Sequence, residues 1–142
     1  MGQILQLLVI GKTHVSGMTE EKITLKEMCA QFDVTPRTLR HYEYIELLAP
    51  EKVGRSRRYG AREIARLKLI LRGRRFGFPL EEVRQWLQLY DADPQNKLQT
   101  QTWIEMSTRQ ISELENRKIE LEETIQDLHR LRQKSIDSQD LG

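Results

Sequence analysis

Cysteine is almost absent from this sequence, with Cys29 the single one among 142 residues. One thiol can neither close an intramolecular disulfide nor supply the several thiolates that a zinc or iron–sulfur site requires. The sequence also lacks a glycine-rich phosphate loop, a nucleophile–base pattern and a metal-binding motif. We therefore expect neither an enzyme nor a cofactor-dependent protein, and the missing disulfides favour the reducing cytoplasm.

Long hydrophobic runs are lacking as well. The one apolar stretch near the start, residues 4–10, is far shorter than the roughly 20 residues that a membrane span needs. It has neither a basic region before it nor a small-residue cleavage site after it. We expect no membrane anchor, and we assign residues 1–21 to a flexible N-terminal extension. Whether Met18 is the natural start stays open.

Positive charge is distributed unevenly, although the formal net charge is only +2. Residues 22–79 contain 14 basic and 6 acidic residues, a balance of +8, whereas residues 80–142 contain 8 basic and 13 acidic residues, a balance of −5. A basic segment favours a polyanionic partner, and an acidic remainder stays away from that partner. The asymmetry predicts that the first part of the chain binds nucleic acid.

Two short helices are predicted within this basic segment. Thr24 and Glu27 have the spacing of a capping box, in which the hydroxyl and the carboxylate each accept a backbone N–H. Thr35 and Pro36 supply a second N-cap and a first helical residue at which a missing N–H costs nothing. The predicted order is helix, three-residue turn, helix.

The second of these helices has two different faces. Leu39 and Tyr42 can face the interior, while the opposite face carries side chains at i, i+3, i+4 and i+7. These side chains are Arg37, Arg40, His41 and Tyr44. A cationic face that forms hydrogen bonds suits the major groove of DNA.

Glycine and proline divide the rest of the segment. Gly54 and Gly60 bound an arginine-rich loop and allow a tight two-stranded hairpin. A basic amphipathic helix follows the hairpin, the run Phe76–Pro79 ends it, and a further helical pattern begins after the proline. We assign residues 22–90 to one DNA-binding domain and residues 91–96, which contain a proline, to a connector.

One long helix is predicted over residues 97–133, which contain neither proline nor glycine. Its apolar residues fall on the four- and three-residue steps of a coiled-coil heptad, with Ser107 and Lys118 as polar members of the seam. The apolar members are Ile104, Ile111, Leu114, Leu121, Ile125 and Leu128. A stripe this narrow along a helix of about 54 Å needs a second copy to cover it. The polar residues 134–142 are predicted to form a flexible tail.

Four sequence runs together carry a family resemblance: TPRTLRHYE, LLAP, GRSRRYG and ARLKLILRGRRFGFPLEEVRQWL. They resemble the N-terminal head of the mercury-resistance regulator (MerR) family of bacterial transcription regulators, in its short form without a large effector domain. The resemblance implies a mainly α fold, with a winged helix-turn-helix head, a second helical pair and a long coiled-coil dimerisation helix. It also implies a homodimer that bends and untwists an overlong promoter spacer in double-stranded DNA, with RNA polymerase as an indirect partner.

Matched by position, the resemblance places the DNA contacts on the second short helix and on the hairpin, which is the wing of such a head. The residues are Arg37, Arg40, His41, Tyr42, Arg55, Arg57, Arg58 and Tyr59. Two positions depart from the family pattern: glycine is usual where Glu46 stands, and tyrosine is frequent where His41 stands. These departures concern the end of the second helix and the contacts with bases.

The effector and two other function classes stay open. Family members that sense thiophilic metals carry cysteines at the end of the long helix and beyond it, and residues 126–142 contain none. We therefore expect a small organic effector, or none, and no metal. One alternative is an interaction module whose long helix recruits a protein partner. Another is a plasmid-partition or phage directionality factor with a similar winged head.

Overall fold

Five helices and three short strands form the part of the chain that the computed structural model describes, residues 21–92 and 97–141. In chain order they are β1 (Ile23–Thr24), α1 (Leu25–Phe32), α2 (Pro36–Tyr44), β2 (Glu51–Val53), β3 (Ser56–Tyr59), α3 (Ala61–Phe76), α4 (Leu80–Ala92) and α5 (Lys97–Leu141). The chain divides into two units, one up to Thr102 and one from Trp103.

The predicted mainly α fold with a winged helix-turn-helix and a long C-terminal helix is confirmed. The predicted N-terminal extension lies outside the described residues except for Glu21.

The two helix starts in the head form through local hydrogen bonds. The Glu27 N–H donates to Thr24 Oγ1 at 3.1 Å, and the Thr24 N–H donates to Glu27 Oε1 at 3.1 Å, which completes the capping box. At α2 the Thr38 N–H donates to Thr35 Oγ1 at 3.1 Å, with Pro36 in the first turn. Each bond satisfies an N–H that has no partner inside its own helix. These contacts span three residues, which is why the sequence alone predicted them.

The interior of the first unit lies between helices α1 to α4 and the loop after α2. Its most deeply buried hydrophobic side chains, each at most 2% exposed, are Met28, Leu39, Leu47, Leu48, Tyr59, Leu67, Ile70 and Leu87. One carboxylate is buried with them: Glu63 on α3 accepts the Ala49 N–H at 2.9 Å. From the same helix, Arg66 Nε donates to the Leu47 carbonyl at 2.9 Å. These bonds tie the loop before the wing to α3 and so fix the position of the wing.

The wing is a three-stranded antiparallel sheet in the order β1-β3-β2. Val53 pairs with Ser56, so that Gly54 and Arg55 form a two-residue hairpin turn. Gly54 has a φ of 63°, the conformation that the first turn residue of a tight hairpin needs and that glycine adopts without steric cost. Arg55 is therefore held at the exposed tip of the hairpin.

Glu46 also adopts the left-handed conformation, with a φ of 63° directly after α2. The turn is held by backbone bonds from the Ile45 N–H to His41 and from the Leu47 N–H to Tyr42. We expect Glu46→Gly to raise the free energy of unfolding by about 0.5–1 kcal/mol, because relief of strain exceeds the added entropy of the unfolded chain. Glu46→Ala removes the same charge but keeps Cβ, so it should give no gain. Urea unfolding of both variants tests this, and equal stabilisation by alanine would contradict a backbone origin.

Helices α3 and α4 pack closely at Gly73. A Cβ on this residue would lie 2.8 Å from Cγ2 of Val83, which is a buried side chain on α4. Valine has little rotamer freedom with which to withdraw, so the helices themselves would have to move apart. Gly77 ends α3 with a φ of 87°, and the Phe78 N–H bonds to the Gly73 carbonyl at 3.0 Å. The absence of a side chain at position 73 thus sets the distance between the two helices.

A double-mutant cycle tests this contact. We expect Gly73→Ala to lower the free energy of unfolding by about 1–2 kcal/mol, because the clash outweighs the better helix propensity of alanine. In a Val83→Ala background the clash is absent, and the same substitution should stabilise the protein by up to about 1 kcal/mol. Chemical unfolding of the four proteins gives both values. An effect of Gly73→Ala with the same sign in both backgrounds would show that Val83 is not the obstacle.

The long helix α5 has 45 residues from Lys97 to Leu141 and a length of about 68 Å at 1.5 Å per residue. Its residues from Trp103 onward lie in the second unit. The six predicted seam residues lie on it with exposed fractions between 43% and 66%. They are Ile104, Ile111, Leu114, Leu121, Ile125 and Leu128. The helix therefore presents an uncovered apolar stripe to solvent.

Two predicted boundaries differ from the structure. The helix was expected to end at Gln133 and to be followed by a flexible tail, but it continues to Leu141. The tail contains no helix-breaking residue before Gly142, and the Gln133 side chain donates to Asp137 one turn later at 2.9 Å. The connector was expected from residue 91, but α4 extends to Ala92 because proline at 94 restricts only the residue directly before it. Residues 93–96 lie outside the described part of the chain.

Candidate nucleic-acid interface

Helix α2 presents the predicted polar face to solvent. Arg37, Arg40, His41 and Tyr44 are all exposed, and Tyr44 is 85% exposed. Leu39 on the opposite side is fully buried. The helix is therefore anchored by one face and offers two guanidinium groups and an imidazole on the other, where they can approach base edges or phosphates.

Two of the eight predicted contact residues are buried in this structure. Tyr42 is 4% exposed and Tyr59 is 1% exposed. Burial raises the pKa of the Tyr59 phenol, which keeps it neutral. The family pattern marked both tyrosines by position, but their rings pack in the core because the helix period and the strand alternation turn them inward.

The wing separates its arginines onto two faces. Successive side chains of a strand point to opposite sides, so Arg57 shares the inward side of β3 with buried Tyr59, whereas Arg58 lies on the other side. Arg58 lies opposite Glu51 in the sheet, and its charge contributes to the lowered pKa of the Glu51 carboxyl after the larger effect of Lys22. Arg55 is exposed at the tip. The three wing arginines are therefore not equivalent.

Arg57 is bound to a glutamate on α2 that the sequence did not single out. Arg57 Nε donates to Glu43 Oε1 at 2.7 Å, and Nη2 donates to Oε2 at 3.2 Å. This hydrogen bonding holds the pKa of the Glu43 carboxyl below its ordinary value. Because the folded-state pKa is the lower one, the pair stabilises the fold at neutral pH and loses that contribution as the pH falls through the folded value. The two residues are 14 positions apart, so no local pattern indicated the pair.

A cleft of about 510 Å³ opens beside the exposed face of α2. Its lining residues are Arg37, Thr38, His41, Tyr42, Arg74, Phe78, Leu80 and Val83. Arg74 Nη1 lies 3.4 Å from the Tyr42 hydroxyl, which brings the C-terminal turn of α3 next to α2. The lining combines the cationic side chains of Arg37 and Arg74 with apolar side chains from the α3–α4 turn and the start of α4. Arg74 thus joins the cationic surface, although the sequence assigned it no more weight than its neighbours Arg72 and Arg75.

The described residues show neither a candidate metal site nor a membrane-spanning helix. Within residues 21–92 and 97–141, no group of three or more histidine, cysteine or acidic side chains is placed to hold a metal ion. Burial raises the pKa of the Cys29 thiol, so it is a weaker nucleophile than an exposed cysteine. No helix in this part of the chain has both the length and the hydropathy to cross a bilayer.

Two family models match the chain. The model described as MerR HTH family regulatory protein covers residues 23–90, and the model described as MerR, DNA binding covers residues 64–134. The first begins at β1 and includes the helix-turn-helix and the wing, and the second runs from α3 into the long helix α5. Together they cover residues 23–134, which include parts of both units.

Individual relatives agree with these models. An uncharacterized HTH-type transcriptional regulator of Pseudomonas aeruginosa, PA4778, is 34% identical over 114 residues, which are 75% of this chain and 82% of that protein. The HTH-type transcriptional regulator HmrR of Rhizobium leguminosarum bv. viciae is 38% identical over 86 residues, 55% of this chain and 67% of its own. A MerR family regulator from Bacillus cereus shares the fold, with a TM-score of 0.67 over 80% of this chain and 81% of its own at 22% identity. This chain belongs to the MerR family of DNA-binding transcriptional regulators.

Proposed function

We propose that the protein is a homodimer that binds promoter DNA sequence-specifically and regulates transcription by distorting the promoter spacer. The observation that carries this proposal is the exposed face of α2, where Arg37, Arg40 and His41 stand beside an arginine-bearing wing. A capped helix presenting guanidinium groups is suited to the major groove, and a basic hairpin is suited to flanking phosphates. Membership in a family of DNA-binding regulators supports the same function.

The contact residues take different roles in this proposal. Arg37, Arg40 and His41 meet the major groove, and Arg55 and Arg58 meet the backbone beside it. Arg57 is held by Glu43, and Tyr42 and Tyr59 support α2 and β3 from within the core. Arg74, next to Tyr42, adds a cation at the other side of α2. This arrangement gives the head cationic groups on both flanks of the helix.

Dimerisation through α5 is supported by its exposed stripe. Leu114, Leu121 and Leu128 repeat at seven-residue intervals and are 43%, 61% and 66% exposed. Burying such a stripe against the same stripe of a second copy is favourable, and a two-fold axis makes the contact self-complementary. A dimer presents two α2 helices to two half-sites, so binding both can impose a bend and a change of twist on the DNA between them. RNA polymerase then responds to the altered promoter without a direct contact.

A small organic molecule, or no ligand, is the proposed signal. The single cysteine, Cys29, lies on α1 in the head and shows a raised thiol pKa, which does not favour soft-metal binding. A soft metal ion is held by several convergent thiolates, and one cysteine per chain cannot supply them. The regulator is proposed to act in the cytoplasm, where its promoter DNA is.

Binding to the DNA upstream of the protein's own coding region tests the proposed function. DNase footprinting should show one protected site inside a promoter, with enhanced cleavage in the spacer where the DNA is distorted. Expression of the downstream transcript should change in a deletion strain. Protection of repeated arrays or of a recombination site would favour a partition or directionality factor instead. Absence of any protected site, together with stable capture of a protein by α5, would favour the interaction module.

A further inference from the structure

Glu43 is an acidic side chain within the cationic surface of the head. It lies on α2 three positions after Arg40, and its side chain is 20% exposed. A carboxylate near bound DNA repels phosphates, so its presence there lowers affinity for any DNA sequence. The proposed function does not explain why α2 carries it.

The geometry of its partner is specific. Arg57 meets the two Glu43 oxygens with Nε and Nη2, at 2.7 Å and 3.2 Å, in a two-pronged arrangement that fixes the plane of the guanidinium. The remaining nitrogen, Nη1, lies 3.5 Å from the Arg55 carbonyl at the hairpin tip. One guanidinium therefore joins α2, the strand β3 and the turn of the wing. The charges of Lys52 and Arg40 also favour the ionised form of Glu43.

We propose that Glu43 is a positioning residue that holds Arg57 away from DNA phosphates and aligns the wing with α2. Sequence-independent affinity is thereby lower, and the preference for one DNA sequence is higher. This inference rests on the proposed function. With the pair intact, Arg57 does not add to sequence-independent binding, and Arg55 at the tip is kept in one register relative to Arg40. With the pair broken, Arg57 becomes a mobile surface cation that any phosphate can attract.

Glu43→Gln in the full-length protein tests the inference. The probes are a duplex that the wild-type protein enriches from a randomised library and a scrambled duplex of the same composition. We expect the scrambled duplex to bind more tightly, with a salt slope steeper by about 0.9 because one more phosphate is contacted. The ratio of affinities for selected and scrambled duplex should fall about tenfold. Titrations at several salt concentrations provide both quantities.

Four further variants separate positioning from a simple change of charge. Glu51→Gln removes the same charge from the wing, where Glu51 pairs with Lys22 and not with α2, and should leave the ratio unchanged. Arg57→Lys keeps the charge but offers no two-pronged contact, so it should lower the ratio as Glu43→Gln does, even where the glutamine variant folds poorly. In an Arg57→Gln background, Glu43→Gln should change the ratio less than twofold.

Each outcome decides between the possibilities. The inference is overturned if Glu43→Gln and Arg57→Lys both leave the ratio of affinities for selected and scrambled duplex within twofold of the wild-type value. The proposed function would still stand in that case. A Glu43→Gln effect that is equally large in the Arg57→Gln background also overturns it, because the effect then does not pass through Arg57. If the wild-type protein enriches no sequence from the randomised library, the proposed function itself is contradicted, and so is the inference that rests on it.

Discussion

Leu121→Asp is expected to convert the protein from a dimer to a monomer and to weaken binding to its DNA site by about 10²- to 10⁴-fold. Leu121 is 61% exposed on α5 at the centre of the heptad stripe. In the proposed dimer, aspartate there would place an unpaired charge in an apolar seam, which is costly because the carboxylate loses its hydration. Loss of the dimer removes the gain in affinity from occupying two half-sites with one molecule. Sedimentation velocity measures the first effect, and DNA titration measures the second.

Ile119→Asp is the matched control for that variant. Ile119 lies two residues earlier on the same helix and is 54% exposed, but it falls outside the a and d positions of the heptad. It should remain dimeric and bind DNA as the wild type does. An intact Leu121→Asp dimer would refute the assigned seam. Equal dissociation by both variants would show that added charge on α5, rather than the position of the seam, controls assembly.

Arg40→Ala is expected to lower affinity for the selected duplex by about 1–3 kcal/mol and to reduce sequence preference. Its side chain is exposed on α2 between Arg37 and Tyr44, where a guanidinium can pair with the two acceptors of a guanine. Arg55→Ala should instead weaken binding to all duplexes alike, with a salt slope reduced by about one, because a wing-tip contact is made to phosphate. Competition assays with selected and scrambled duplexes at several salt concentrations distinguish the two patterns.

Arg117→Ala provides the reference for these variants. Arg117 is an exposed arginine on α5, so its removal changes the net charge equally and leaves the residues of α2 and the wing unaltered. It should alter neither the preference nor the slope by a measurable amount. The assignment would be wrong if Arg37→Ala and Arg40→Ala left binding unchanged, or if Arg117→Ala reduced it to the same extent.

Most element starts in the head could be predicted because their causes are local. The caps at Thr24 and Thr35 act through hydrogen bonds to residues three positions later. The exposed face of α2 followed from helical periodicity alone, and so did the stripe on α5. The end of α5 could not be predicted in this way, since the polar composition of the last residues is compatible with a helix as well as with a tail.

The different environments of the arginines arise from contacts between residues that are distant in the sequence. Arg57 meets Glu43 across 14 positions, and Arg74 meets Tyr42 across 32. Neither pair leaves a periodic signal, because each depends on how the chain reverses at Glu46 and on how the wing hairpin folds back. Composition and motif showed that the head is cationic. They did not show that Arg57 is bound to Glu43 or that Arg74 lies next to Tyr42.

By itself the sequence determined the order of the helices, the basic head and the apolar stripe on α5, because these depend on local hydrogen bonds, helical period and charge count. It indicated the family only through the resemblance of its motifs. Tertiary structure decided that Tyr59 is a core residue, that Arg57 is bound to Glu43, and that Gly73 leaves room for the Val83 side chain. Burial, two-pronged ion pairing and interhelical distance arise only when separate elements meet in space. A sequence pattern does not indicate a contact between residues of separate elements unless both residues belong to a recognisable periodic pattern.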